Sequence, residues 1–366
     1  VGDSHLLYSV IKIASHKAGK GFYFAPKSSY ASGSSAVKEL KDMVKACHRA
    51  GIEVVLEMPF EAGISAQKAM ECLKFYLLEY HVDGFVVNPY NVPWDELNAD
   101  PLLKEVKRVH FIGIGGSGMC PLAEILHSWG YELSGSDNNE SDTLDRIRKL
   151  GIPVTMGQRA ENIKGAEMIV YTAALLKDNP ELVAAKASGI PTFERSKLFG
   201  AISRMYKNCI GICGTHGKTT TTSMTTQIMI TAKLDPSAVI GGKLPMMGSS
   251  GRVGKSENFV CEACEFVDTF LDLSPDVAVI LNIDEDHLDY FKTLDNLIKS
   301  FHKFASMATK AVIYNGDDAN TLKAMEGISG KDLITFGMAE ENDYYPENIA
   351  PVHGAYYEFD AMHKGE

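Results

Sequence analysis

Apolar positions along the chain alternate between short continuous runs and longer stretches at helical spacing. Early on, Val37, Leu40, Val44 and Cys47 repeat at helical spacing behind the capping candidates Ser34 and Ser35, with Gly51 at the C-terminal stop. The run Ile52–Met58 suits a buried parallel strand. A second helix carries Met70, Leu73, Leu77 and Tyr80 on one face, and Gly84–Val87 forms the next strand. This βα alternation predicts a parallel sheet or part of a barrel. The charged stretch Pro101–Lys107 marks a boundary, which sets off residues 1–105 as one segment. No internal repeat or low-complexity tract interrupts either side of it.

Beyond the boundary, two strand–loop–helix units carry glycine-rich loops. The strand Val109–Ile112 runs into Gly113-Ile114-Gly115-Gly116-Ser117-Gly118, and a helix follows through Leu126. That is G-x-G-x-x-G in the setting where glycines let backbone N–H groups approach a pyrophosphate at a helix N-terminus. A second strand, Tyr131–Ser134, leads to Gly135-Ser136-Asp137, where an acid is placed to bond a ribose hydroxyl. This unit predicts a dinucleotide or nucleotide-sugar site. An NAD-dependent dehydrogenase is its rival reading, and a glycine turn that only packs helix on strand is the plain one.

The second unit begins with the strand Ile210–Cys213 and the loop Gly214-Thr215-His216-Gly217-Lys218-Thr219-Thr220-Thr221. Gly-Lys-Thr is the working end of a P-loop: backbone N–H groups cradle phosphates, Lys218 meets the β/γ charge, and the Thr219 hydroxyl is a Mg²⁺ ligand. The strict G-x-x-x-x-G-K-[ST] spacing fails by one residue, because Ile212 stands where the first glycine belongs. Met224, Ile228 and Ile230 predict the apolar face of the helix that follows.

Three later strands end in polar residues, at the sheet edge where open α/β folds keep their chemistry. Phe259–Cys261 delivers Glu262, Val277–Leu281 delivers Asn282 through His287, and Ala311–Tyr314 delivers Asn315 through Asp318. A carboxylate and an imidazole beside a phosphate loop suit one or two Mg²⁺ ions, so Glu262 and His287 are site candidates. A dehydrogenase leaves Gly214–Thr221 and this acidic edge unexplained.

Composition narrows the class. The 366 residues suit two or three domains, and 45% apolar with 23% charged residues is ordinary for a folded chain. A net charge of −11 argues against a general nucleic-acid binder, and no apolar run approaches the roughly 18 residues of a membrane span. The seven scattered cysteines read as reduced and cytoplasmic. Neither Cys261/Cys264 nor Cys209/Cys213 has a matching ligand set, so both pairs are expected to be buried hydrophobes. A start at Val1, without an initiator Met, reads as an excised or processed piece.

Two resemblances add to this. FYFAP (Phe22–Pro26), AVKELKDMVKACHRAGIEVVLE (Ala36–Glu57) and EYHVDGFVVN (Glu79–Asn88) resemble part of the α-amylase/pullulanase glycosidase barrel. The catalytic residues of that family do not carry over. Val86 and Asn88 stand where it has an Arg and a nucleophilic Asp, and Glu57-Met58-Pro59-Phe60-Glu61-Ala62 replaces its Asp…Asn-His run. An amide cannot act as the carboxylate of glycoside hydrolysis, and about two βα units cannot close an eight-stranded barrel. Residues 1–105 are therefore expected to be a catalytically degenerate, partial barrel-like segment.

From Val109 onward, HFIGIGGSGM (His110–Met119), GYELSGSD (Gly130–Asp137), DNPEL (Asp178–Leu182), GICGTHGKTTTT (Gly211–Thr222), EACE (Glu262–Glu265), LNIDEDHLDYF (Leu281–Phe291), NGDD (Asn315–Asp318) and TFG (Thr335–Gly337) resemble the Mur ligases. The resemblance implies an α/β fold with a Rossmann-like domain at 106–206 and a P-loop ATPase-type central domain with a parallel sheet at 207–366. It implies ATP-dependent joining of L-alanine to UDP-N-acetylmuramate through an acyl phosphate, a step of peptidoglycan precursor synthesis.

The same resemblance assigns roles to individual residues. Gly113, Gly115, Gly116, Ser117, Gly118 and Asp137 would hold the UDP part. Gly214, Thr215, His216, Gly217, Lys218, Thr219 and Thr220 would bind ATP, with Asn315 near the adenine. Thr219 with Glu262 would hold one Mg²⁺, and Glu262 with His287 a second. Lys218, Glu262 and His287 form the implied catalytic set.

The chain departs from the family at Gly248-Ser249-Ser250-Gly251-Arg252, where members carry G-G-N-x-R, and at Thr172-Ala173-Ala174, which replaces a Ser-rich turn. It stops at Glu366 where the family continues, so the C-terminal domain that closes over the amino acid is expected to be missing. A related ligase that adds a preformed peptide and a non-catalytic nucleotide-binding module stand as alternatives.

Overall fold

A computed structural model describes residues 9–12, 36–50, 54–58, 60, 66–82, 84–87, 100–244, 248–352, 354 and 357–365. Ser34, Ser35, Gly51, Pro59, Glu61, Ala62, Asn88 and the Phe22–Pro26 stretch lie outside these residues. The chain divides into two compact units, Val1–Ala99 and Asp100–Glu366. The division precedes the charged boundary read from the sequence, because the start of that stretch packs into the second unit. Leu103 is buried in its core, and the Asp100 carboxylate accepts from Arg204 Nε at 2.6 Å.

In the first unit, β1 (Ser9–Lys12), β2 (Val54–Met58) and β3 (Gly84–Val87) form a parallel sheet in that order, with α1 (Ala36–Arg49) and α2 (Ala66–Tyr80) as the helices. The buried stripe of α2 is Ala69, Cys72, Tyr76 and Tyr80, whereas Leu77, expected inside, is 46% exposed. The helix is rotated by about one position from the face read in the sequence. Two tyrosines bury their rings here, Tyr76 stacking on Tyr80 with centroids 5.2 Å apart, and leucine content alone does not reveal such a face.

The second unit holds two sheets. The first comprises β4 (Arg108–Ile112), β5 (Glu132–Asp137), β6 (Val154–Met156), β7 (Met168–Tyr171) and β8 (Thr192–Glu194), all parallel in the order β6-β5-β4-β7-β8. Sheet order reverses beside β4, the switch point at which such folds bind nucleotides. The interposed helices are α3 (Cys120–Ser128), α4 (Asp142–Lys149), α5 (Pro180–Ala187) and α6 (Arg195–Arg204). Strand β5 runs on through Gly135 and Ser136 to Asp137 instead of ending at Ser134. Gly135 stays in the strand because an added Cβ would lie 2.7 Å from Ile114 Cδ1, so the chain needs a bare backbone there.

The second sheet is built from β9 (Asn208–Cys213), β10 (Ser237–Leu244), β11 (Ser249–Arg252), β12 (Asn258–Glu262), β13 (Val277–Ile280), β14 (Ala311–Asn315), β15 (Asp332–Phe336), β16 (Tyr344–Pro351) and β17 (Tyr357–His363). Its order is β11-β10-β12-β9-β13-β14-β15-β16-β17, parallel from β10 to β16 and antiparallel at both edges. The strand after which the second loop comes, β9, thus sits between β12 and β13, whose ends deliver Glu262 and the Asn282–His287 run. One apolar core runs through both sheets by way of α6, which buries Leu198, Phe199, Ala201 and Ile202. Phe199 meets Phe259 edge-on with centroids 6.0 Å apart, and Tyr206 stacks on Phe259 at 4.7 Å.

Helix α7 (Lys218–Thr231), which follows the second loop, packs by Thr222 and Thr226. Met224 and Ile228, expected to face inward, are 59% and 65% exposed. Buried threonines are tolerable here because each hydroxyl bonds the carbonyl four residues back: Thr222 to Lys218 O at 2.8 Å, Thr226 to Thr222 O at 2.7 Å. Among the described residues, no helix is long and apolar enough to cross a membrane.

Candidate active site

The first loop leaves β4 through Gly113, whose φ of +84° favours glycine and whose added Cβ would lie 2.9 Å from Thr172 Cγ2. Asp137 shapes this loop. Its Oδ2 accepts from Gly115 N at 2.9 Å, and its Oδ1 accepts from Asn138 N at 2.8 Å and Asn139 N at 3.1 Å. The acid read from the sequence as a ribose partner here fixes three backbone N–H groups. A crevice of about 370 Å³ opens beside it, lined by Gly113, Gly115, Gly116, Asp137, Asn138, Gln158 and Thr172 among others.

Below the loop lies a buried polar set that sequence reasoning missed. His110 joins Glu181 at 2.6 Å and Ser134 at 2.7 Å, while Ser136 donates to the other Glu181 oxygen at 2.7 Å. The DNPEL stretch carried the signal, and its glutamate pins α5 under β4 and β5.

The second loop is held by the segment that follows β13. Gly214 has φ +144°, and a Cβ there would lie 2.9 Å from Leu281 Cβ. Asn282 clamps His216 from both sides, accepting from His216 N at 2.8 Å and donating to His216 O at 3.1 Å. The Thr215 hydroxyl accepts from Asp284 N at 2.9 Å. Gly217, at φ +84°, turns the chain into α7.

Lys218 Nζ folds back onto the loop, donating to Gly214 O at 2.6 Å, Thr215 O at 3.2 Å and Glu265 Oε1 at 2.9 Å. Thr219 Oγ1 donates to both Glu262 oxygens at 2.9 and 3.0 Å, and Gly241 N donates to Glu262 Oε2 at 2.7 Å. His216 and Thr220 are exposed at the loop surface. Asn315, at the end of β14, donates to Leu281 O at 3.0 Å and accepts from Asp317 N at 2.9 Å, which ties it to the neighbouring strand end.

The metal candidates fall in two places. Glu262 stays with Thr219, whereas His287 joins Glu265 and Asp286, the one group of three such side chains among the described residues whose ligand atoms all lie within 4.8 Å. Glu265 is 1% exposed and, among the described residues, its Oε2 has no hydrogen-bond partner, the state of a buried oxygen suited to a cation. The carboxylates and the Thr219 hydroxyl are hard oxygen donors of the kind that fit Mg²⁺ together with phosphate oxygens, and the His287 imidazole stands beside them.

Sequence reasoning missed Glu265 although it closes the EACE stretch. Beside it the backbone is unusual: Val267 and Asp268 in the 3-10 segment Phe266–Asp272 both have left-handed φ, at 53° and 59°, and so does His287 at 53°. Such conformations are costly for non-glycine residues and gather at functional sites.

A second cavity, about 450 Å³, lies between the two sheets of this unit. Gly116, Ser117, Gly118, Thr172, Ala174, Arg195, Gly241, Glu262 and Cys264 line it with others, so it adjoins the first crevice at Gly116, Thr172 and Ala174. The departing Gly248–Arg252 stretch touches one residue of its wall: Ser250 Oγ donates to Ser117 O at 3.0 Å, while Arg252 pairs with Asp235. Burial pulls the Arg195 guanidinium below its ordinary value and pushes the Cys264 thiol up.

Two glycine loops, one on each of two joined α/β sheets, with an acidic edge beside the second, set the chain in a class of two-sheet α/β folds with a strand–glycine loop–helix unit on each sheet. The chain belongs to the Mur ligase family. Residues 108–207 match the Mur ligase family catalytic domain, and residues 212–364 match the Mur ligase middle domain.

It is 42% identical over 266 residues to the UDP-N-acetylmuramate–L-alanine ligase of Caldanaerobacter subterraneus, covering 72% of this chain and 58% of that one. To the same-named protein of Acetivibrio thermocellus it is 46% identical over 238 residues, covering 64% and 50%. The chain spans about half the length of these curated relatives.

Among solved structures, the UDP-N-acetylmuramate–alanine ligase of Thermotoga maritima matches with a TM-score of 0.62 at 27% identity, over 71% of this chain and 58% of that one. The UDP-N-acetylmuramate:L-alanyl-gamma-D-glutamyl-meso-diaminopimelate ligase of Neisseria meningitides matches at 0.64 and 26%, over 71% and 85%.

Proposed function

We propose that this chain binds Mg·ATP at the second loop and UDP-N-acetylmuramate at the first, and activates the muramoyl carboxylate for joining to L-alanine. The observation that carries the reading is the adjoining pair of cavities, which runs from the first glycine loop to Glu262, the partner of Thr219 on the second. The nucleoside would occupy the crevice beside Asp137, and the sugar acid would extend toward Glu262.

Phosphoryl transfer to a carboxylate must overcome repulsion between two anions. Lys218 supplies one counter-charge by leaving Glu265 and the loop carbonyls for the terminal phosphates. Thr219, Glu262, Glu265 and His287 would hold Mg²⁺, which when bound adds positive charge between triphosphate and carboxylate. The clamp of Asn282 on His216 keeps the loop's N–H groups aimed at the phosphates without rearrangement. The carboxylate oxygen attacks the γ-phosphorus, ADP leaves, and the acyl phosphate then loses phosphate to the attacking amine.

The curated relatives named above are ligases of L-alanine, which favours that amine. The equally good fit to a peptide-adding ligase keeps the second reading, a preformed peptide as acceptor. The test is hydroxylamine trapping with Mg·ATP and UDP-N-acetylmuramate. A muramoyl hydroxamate, with phosphate release accelerated by L-alanine, is expected. Bound nucleotides without hydroxamate would reduce the chain to a binding module, and acceleration by the peptide alone would select the second reading.

A further inference from the structure

The strand pair β10–β11 touches both glycine-loop units. From β11, Ser250 Oγ donates to Ser117 O of the first loop at 3.0 Å. The next residue, Gly251, passes so close to the start of α3 that an added Cβ would lie 2.4 Å from Pro121 Cβ. Its carbonyl accepts from Arg146 Nη2 of α4 at 3.3 Å, and the same nitrogen donates to Glu124 Oε2 of α3 at 2.9 Å. Ser249, Ser250 and Gly251 are all buried, so β11 is packed into a joint between the two sheets.

From β10, Gly241 N donates to Glu262 Oε2 at 2.7 Å, and a Cβ on Gly241 would lie 2.6 Å from Glu262 Oε1. A Cβ on Gly242 would lie 3.2 Å from Thr219 Cγ2. Antiparallel pairing ties the two strands together, with Val239 opposite Gly251. At three glycines, then, bare backbone meets a neighbouring element, and close-packed backbone has no rotamer by which to yield. The strand pair thus holds the first loop at a fixed separation from Thr219 and Glu262.

We propose that Ser250 and Gly251 are positioning residues, which set the distance between the acid of a substrate on the first loop and the terminal phosphate of a nucleotide on the second. This rests on the reading of the first loop as the UDP-sugar site and the second as the Mg·ATP site. Transfer needs reacting atoms about 3–3.5 Å apart, and a misplacement of about 1 Å costs on the order of 100-fold. An alanine at 251 must widen the gap to Pro121 from 2.4 Å to the 3.4 Å at which ordinary contact begins, a displacement of that size. The crevice beside Asp137 is lined by residues 113–175 alone, so it moves as one body with α3 and keeps its shape.

The test compares wild type, Gly251→Ala and Ser250→Ala. Calorimetric titration reads the affinities for UDP and for Mg·ATP, hydroxylamine trapping reads the transfer rate at saturating Mg·ATP and UDP-N-acetylmuramate, and melting reads the fold. In G251A both affinities are expected to stay within about threefold while the saturated rate falls roughly 10- to 100-fold. S250A, which deletes the bond without a clash, should show a fall of a few-fold in the same pattern. A G251A rate equal to wild type, or a rate lost only in step with weakened UDP or Mg·ATP binding, overturns the inference and leaves the ligase reading standing. Where melting shows G251A unfolded, S250A decides, and an unchanged rate there overturns the inference. Wild type that binds both ligands and forms no hydroxamate overturns the ligase reading and this inference with it.

Discussion

Lys218 and Glu265 form the pair on which the resting second loop depends. Lys218 is mostly buried, Glu265 almost wholly so, and Lys218 Nζ pairs with Glu265 Oε1 at 2.9 Å. Removing one member of a buried pair leaves an uncompensated charge, at a cost of about 3–5 kcal/mol. Glu265→Ala is therefore expected to lower the urea midpoint of the second unit clearly, and adding Lys218→Met should recover part of the loss. Equal and additive losses would show that the two side chains do not act as a pair. At this scale the sequence was legible where residues follow a loop: Lys218 and Thr219 open α7 after the glycine turn and Glu262 ends β12 beside Thr219, although the expected pairing of Glu262 with His287 is not made. Glu265 was hidden because its contact with Lys218 spans 47 residues of sequence, which no local spacing rule announces.

Strands were read more reliably than helix faces. Parallel strands are apolar on both sides and stop near their polar ends, so β12, β13 and β14 appeared within a residue of their bounds. Helix faces went wrong where the buried residues are not aliphatic, as with Thr222 and Thr226 of α7 or Tyr76 of α2. One close approach between elements was also invisible. Gly200 of α6 passes so near the 3-10 segment that an added Cβ would lie 2.1 Å from Asp272 O. Gly200→Ala must push the two elements apart, and overpacking of this kind costs about 1–3 kcal/mol. Denaturant unfolding of the second unit should show that loss, while Gly189→Ala, strained by its φ of +77° yet meeting nothing within 4 Å, separates backbone strain from steric contact. Equal destabilisation by the two would argue against a tight α6 contact.

At the scale of the whole molecule, the division into a Rossmann-like sheet and a P-loop sheet was visible because each announces itself by strand, glycine loop and helix. That a single core runs through both by way of α6 was not, since such packing leaves no local pattern.

The second sheet also sets an acid limit. Asp317 lies below the usual carboxylate range because Met338 N and the Asn342 amide donate to it, and Asp343 does so because Thr335 N donates to it. A carboxyl depressed in the folded state contributes stability fully above its unfolded value, near 4, and loses it as pH falls through the lower folded value. Melting of wild type is thus expected to fall below about pH 4 more steeply than that of Asp317→Asn. Parallel curves would remove Asp317 from the acid limb.

The central claim is that two separate loops hold two separate nucleotides. Calorimetric titration of wild type and Lys218→Ala with Mg·ATP and with UDP-N-acetylmuramate addresses it directly. Wild type binding both, with the variant losing Mg·ATP on the order of 100-fold and keeping UDP-N-acetylmuramate, is the expected result. A variant that loses both ligands together, or a wild type that binds neither, would contradict it.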